Sequence, residues 1–131
     1  MDANVSKRIS ERVIGCAYAV GNELGPGFLE GVYESALCLE LTRSGLQIER
    51  QKPLDVSYKG EIVGKYFADI LVQEKLLLEV KAVSRLMPEH KAQVINYLKA
   101  TGLSVSLLIN FGTPRTEIRR IVWRHDDSNC I

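Results

Sequence analysis

Residues 61–83 read EIVGKYFADILVQEKLLLEVKAV, and their alternation decides the fold. β-Branched, aromatic and aliphatic residues fill positions 61–72 and 75–83, with the polar Gln73-Glu74-Lys75 between them. That pattern predicts two strands joined by a short turn. On the first strand one parity carries Val63, Phe67, Asp69 and Leu71, the other Ile62, Tyr66, Ala68, Ile70 and Val72. Two apolar faces predict a central strand. An unpaired carboxylate at Asp69 is then costly, on the order of several kcal/mol, so something must compensate it. The second strand repeats the anomaly, because Glu79 and Lys81 share one face of the run Leu76 to Val83.

Register decides whether these charges meet. Val72 opposite Leu76, with a three-residue loop, sets Asp69 opposite Glu79 on one face. A two-residue loop pairs Asp69 with Leu78 and sends the carboxylates to opposite faces. The loop contains no glycine, which counts against a tight turn. Two carboxylates and a lysine on one face suit a Mg²⁺ site with an ammonium beside it. From burial and spacing alone, an ion pair of Lys81 with Glu79 or Asp69 explains them equally well.

Working outward, Ile9, Val13, Cys16, Ala17 and Val20 recur at helical spacing, as do Leu29, Val32, Tyr33, Ala36, Leu37 and Leu41. Gly25-Pro26-Gly27 separates the two helices, and Gly45 ends the second. A strand over Gln47–Tyr58 precedes the quoted pair, and Lys59-Gly60 turns between them. Pro88 suits the first turn of a helix running to Gly102. Strands over Ser104–Phe111 and Thr116–Trp123 complete the order ααβββαββ. This is an α/β (α+β) arrangement with a mixed sheet.

Composition narrows the function class. The 131 residues carry 17 Lys and Arg against 16 Asp and Glu, which excludes a polybasic binder. Three scattered cysteines, Cys16, Cys38 and Cys130, exclude a disulfide framework and a zinc knuckle and suggest a reducing cytoplasm. No apolar run reaches the roughly 20 residues of a membrane span, and Met1 to Ser10 lacks the apolar core of a signal peptide. The expected organisation is one domain over 1–131, with a core at about 8–123 and a frayed tail at 124–131.

Asp69, nine intervening residues, then Glu79-Val80-Lys81 resembles the PD-(D/E)XK nuclease superfamily. Gly27, Glu30 and Tyr33 match the GxxExxY signature of one of its families, and the stretches 68–72, 97–102 and 107–112 are similar to that family as well. The resemblance spans roughly residues 8–123, with Ala68 standing where the superfamily name has proline. It implies a restriction-endonuclease-like core, a central mixed sheet flanked by helices. Asp69, Glu79 and the Val80 carbonyl would bind a divalent metal, Mg²⁺ with Mn²⁺ as an alternative, while Lys81 positions the attacking water. Glu30 would add a carboxylate from the second helix. Gln93 and Tyr97, four apart on one helical face, resemble a QxxxY element that supports the substrate or the lysine.

The implied partner is nucleic acid, DNA ahead of RNA, with a homodimer as an option and no membrane. Local basic groups at Lys7-Arg8-Arg12, Arg50-Lys52 and Arg115, Arg119, Arg120, Arg124 allow phosphate contacts, though a solvated face is the usual explanation. Glu30 also suits a helix start, Tyr33 a core position, and His90 a surface one. The competing function is a catalytically inactive module of the same fold that binds nucleic acid or a protein partner.

Overall fold

The computed structural model describes residues 3–124, with side chains from Arg8 onward. Helix α1 covers Ala3–Leu24 and α2 Glu30–Arg43. Strands β1 (Ile48–Tyr58), β2 (Glu61–Val72) and β3 (Leu76–Lys81) follow, then α3 (Pro88–Thr101), β4 (Val105–Asn110) and β5 (Glu117–Val122). The expected tail and Cys130 lie outside the described residues, apart from Arg124. The five strands form one sheet in the order β1-β2-β3-β4-β5. Only β3 and β4 run parallel, joined across the sheet by α3, so the sheet is mixed.

Alternation along the strands builds two cores. Leu76, Leu78, Val80, Leu107 and Ile109 pack with Val13, Leu37 and Leu41 of α1 and α2. Leu77 and Leu108, of opposite parity, pack with Val94 and Leu98 of α3. The sheet is thus covered by helices on both faces. Thr116 Oγ1 occupies the space where Gly21 would carry a Cβ, so α1 crosses close to the segment before β5 only because that residue is glycine.

The β2–β3 register is Val72↔Leu76, Leu71↔Leu77 and Ile70↔Leu78, the three-residue-loop alternative. The missing glycine is replaced by left-handed Gln73 and Glu74, at φ 52° and 57°. Non-glycine residues pay about 1–2 kcal/mol each for that conformation. Gln73 offsets part of it by donating its N–H to the Gln47 carbonyl at 2.8 Å and accepting the Gln47 N–H on its side chain at 2.6 Å.

The expectation that β2 is central along its whole length is corrected. β3 pairs only with its last residues, and Ile62, Val63 and Phe67 are more than half exposed on a two-stranded β1–β2 ribbon. Both parities are apolar for a different reason. Ala68 packs into the α3-side core whereas Ile70, two residues later, packs beneath α1 and α2. The ribbon changes face between them, at Asp69, where the rung to Gln51 is missing and Gln51 has φ 53°.

Candidate functional site

The change of face puts Asp69 where the β2–β3 ladder stops. Beyond Ile70↔Leu78 the carboxylates take over the backbone's partners: Asp69 N–H donates to Glu79 Oε1 at 3.3 Å, and Val80 N–H donates to Asp69 Oδ2 at 2.8 Å. The two carboxylates expected to face each other therefore do so. Glu79 is 3% exposed. Burial first, and the charge of Asp69 second, push its carboxyl up to about 9, against the opposing pull of the Asp69 N–H and Lys81. Burial likewise pushes Asp69 up to about 6, opposed by the Val80 N–H and reinforced by Glu34 and Glu30.

Lys81 lies on the same side of β3 as Glu79, and its Nζ donates to Gln93 Oε1 at 3.5 Å. Gln93 and Tyr97 line one cleft, and Gln93 acts against the rise in the Tyr97 phenol's value. The Tyr97 ring stacks on Tyr66 at 4.1 Å. Burial and the charge of Glu79 push both phenols up to about 12, which keeps them protonated donors.

From the opposite helix layer the picture differs from the sequence reading. Glu30 opens α2 and is exposed; it reaches Asp69 electrostatically, with no hydrogen bond to it. Glu34, one turn on, is 6% exposed and in side-chain hydrogen-bonding contact with Asp69. Gln51 Nε2 donates to Glu34 Oε1 at 2.9 Å and to Asp69 Oδ1 at 3.4 Å, joining them. Arg50 Nε donates to Glu34 Oε2 at 2.6 Å. Sequence reasoning passed over Glu34. Its signal was a carboxylate between Tyr33 and Leu37 on the apolar stripe of α2.

Tyr33 is fully buried, as expected of a core residue, and does more. Its hydroxyl donates to the Gly25 carbonyl at 2.5 Å and accepts the Phe28 N–H at 3.1 Å, while its ring stacks on Phe111 at 4.9 Å. It clamps the turn that aims α2. The basic residues Arg50 and Lys52 are spent on Glu34 and Glu49, and Arg119 on Glu117. His90 accepts the Met87 N–H at 2.8 Å and caps α3.

Among the described residues no group of three or more His, Cys, Asp or Glu side chains encloses a metal site. The fit to a divalent cation rests on Asp69 and Glu79, a half-buried and a buried carboxylate whose raised values are only partly offset by the Val80 and Asp69 N–H groups and Lys81. That all-oxygen donor set suits Mg²⁺ or Mn²⁺, which take one or two carboxylates and complete their shell with waters and phosphate oxygens.

Comparison with known proteins follows the same line. No curated protein matches significantly. Among solved structures, the crystal structure of SSO0001 superposes with a TM-score of 0.55 at 19% identity, over 76% of this chain and 52% of that one. An alkaline exonuclease, LHK-Exo from Laribacter hongkongensis, does so with a TM-score of 0.50 at 16% identity, over 70% and 53%. The chain spans about half the length of each, and at such identities the likeness is one of fold, the restriction-endonuclease-like core. Enzymes of the PD-(D/E)XK type generally use divalent metal ions, in keeping with the acidic pair at the end of the β2–β3 ladder. The model of that superfamily matches residues 7–121, nearly the whole of α1 to β5, and to the PD-(D/E)XK nuclease superfamily this chain belongs.

Proposed function

We propose that the chain is a Mg²⁺-dependent nuclease, able to use Mn²⁺, that hydrolyses phosphodiester bonds of nucleic acid, DNA ahead of RNA. The observation that carries this reading is the reciprocal hold of Asp69 and Glu79 beside Lys81. Asp69, Glu79 and the Val80 carbonyl are the residues that would hold the cation. When bound, a divalent cation neutralises charge developing on the phosphate. Lys81, steadied by Gln93, donates a hydrogen bond to the water and orients it toward phosphorus. Gln93 and Tyr97 form the wall against which the substrate rests. Glu34 and Gln51 fix the Asp69 rotamer, and Glu30 adds negative charge at the rim.

The GxxExxY family is the reading of the superfamily that Gly27, Glu30 and Tyr33 favour, supported by the clamp that Tyr33 makes on the preceding turn. A single domain over 1–131 with its core at about 8–123 fits the continuous sheet. The free Cys16 and Cys38 suit a reducing cytoplasm. No helix among the described residues is long and apolar enough to cross a membrane. A homodimer would supply the basic surface that the engaged arginines leave thin.

The test is cleavage of single- and double-stranded DNA and RNA with Mg²⁺, Mn²⁺ or EDTA, wild type beside Glu79→Ala and Lys81→Ala. Metal-dependent cleavage should fall at least ~10²-fold in each variant. Wild-type rates in Lys81→Ala would sink the assigned mechanism. Nucleic-acid or protein binding by folded wild type without any cleavage would point to the inactive module.

A further inference from the structure

The strand-end site adjoins a second cavity, of which the proposed chemistry uses only the wall made by Gln93 and Tyr97. A cleft of about 580 Å³ lies between the β1–β2 ribbon and α3. Asp55, Ser57 and Tyr66 line it from the ribbon, Gln93, Asn96 and Lys99 from the helix. Gln93 is also the partner of Lys81, so the cleft begins one side chain from the catalytic strand. The stacked Tyr66 and Tyr97 rings form part of its wall. The Tyr66 hydroxyl is buried and has no hydrogen-bond partner among the described residues, a situation that normally costs about 1–3 kcal/mol.

Charge decides which part of a nucleotide fits. Lys99 is the one cation of this lining, and its Nζ is already held 4.6 Å over the Trp123 ring. Asp55 contributes a carboxylate to the opposite side. Asp55 is paired with Lys65 at 3.8 Å, so a phosphate would meet an ion pair and an ammonium engaged elsewhere, with no unengaged cation in the lining. A neutral, planar group is better matched, because phenol rings offer stacking and the Gln93 and Asn96 amides offer both donors and acceptors to a base edge. We infer that the cleft seats one unpaired nucleobase and its sugar, from the nucleotide next to the phosphate on which Asp69, Glu79 and Lys81 act. The inference rests on the nuclease reading and extends it to a substrate class. Bases of an intact duplex are stacked and turned inward, so the cleft fills only from a single strand, a frayed end or an extruded nucleotide.

The test is binding in EDTA, where no cleavage is needed. A fluorescently labelled single-stranded oligonucleotide and its blunt duplex are titrated by anisotropy against wild type, Asn96→Ala and Ala100→Trp. Asn96 and Ala100 are exposed on α3, and Ala100 also lines the cleft, so both variants should fold, checked by melting temperature. The expected result is tighter binding of the single strand by wild type, weakened about tenfold by the cleft-filling Ala100→Trp and less by Asn96→Ala. Duplex affinity should change little. Equal single-strand affinity in all three proteins, or no preference of wild type for the single strand, overturns the inference. Cleft-dependent binding by a wild type that cleaves nothing supports the subsite while rejecting the nuclease; cleavage without cleft-dependent binding does the reverse.

Discussion

The two faces of the sheet do different work. Beneath α1 and α2 the core is continuous and largely aliphatic, from Val13 through Leu37 and Leu78 to Ile109, with the stacked Tyr33 and Phe111 within it. Beneath α3 the buried cluster is smaller, and beside it lie half-buried polar and aromatic groups: Lys81, Tyr66 and Tyr97. The larger apolar core lies on one side, and the lysine and tyrosines of the proposed site lie on the other. The carboxylates sit at the seam because β2 changes face at Asp69 and is therefore reached by Glu34 from one layer and by the α3 side from the other. A site at such a seam draws on both layers while asking neither core to hold an uncompensated charge.

The largest effect should separate the two cores directly. Leu37 and Leu98 are both fully buried, one on each face. Leu37→Ala should cost about 4 kcal/mol and Leu98→Ala about 2–3 kcal/mol by urea denaturation, the smaller cluster relaxing more readily around its cavity. Equal costs would break the comparison. Next, Arg50→Ala leaves the buried Glu34 without its cation and should cost about 2 kcal/mol, whereas Arg50→Lys should restore part of it.

Metal and pH probe the seam itself. Asp69 and Glu79 have folded-state values raised from 3.8 and 4.5 to about 6 and about 9, mainly by burial. The folded protein therefore binds these protons more tightly than the unfolded chain, so this contribution is fully present below about pH 4 and is lost as pH rises through about 6 and then 9. In EDTA the melting temperature should fall on going from mildly acidic to alkaline buffer. Mg²⁺ should recover about 5 °C of it at the alkaline end and little at the acidic end. A Mg²⁺ effect independent of pH, or matched by Glu79→Gln, would remove the carboxylate pair as the binding site. The smallest effect is Tyr33→Phe, which keeps the Phe111 stack but frees Gly25 and Phe28. It should cost about 1 kcal/mol and lower turnover only modestly, since α2 loses its clamp and not its packing.

Much of this was legible in the chain. The strand pair followed from a period of two, a local property; the turn allowed two loop lengths, and the three-residue loop found is the one that brings Asp69 to Glu79. Gln93 and Tyr97 were readable as neighbours on one helix face for the same reason, being one turn apart. The extent of β2's burial was misread because alternation assumes a strand that keeps its face, and the left-handed Gln51 breaks that assumption with no glycine to announce it.

The sequence by itself determined which stretches are helical or extended and that Glu79 and Lys81 share one side of their strand. These depend on periodicity and chain connectivity over a few residues. It left two β2–β3 registers open, and the ladder decided for the one that sets Asp69 beside Glu79. Only the tertiary structure decided that Glu34, rather than Glu30, touches Asp69, and that Tyr66 joins Tyr97. Glu30 and Glu34 lie on one face of α2, so their spacing is silent on which turn stands level with the end of the strand ladder. That level is set by the depth at which Tyr33, Leu37 and Leu41 seat α2 against the sheet, a distance fixed by packing between segments far apart in the chain.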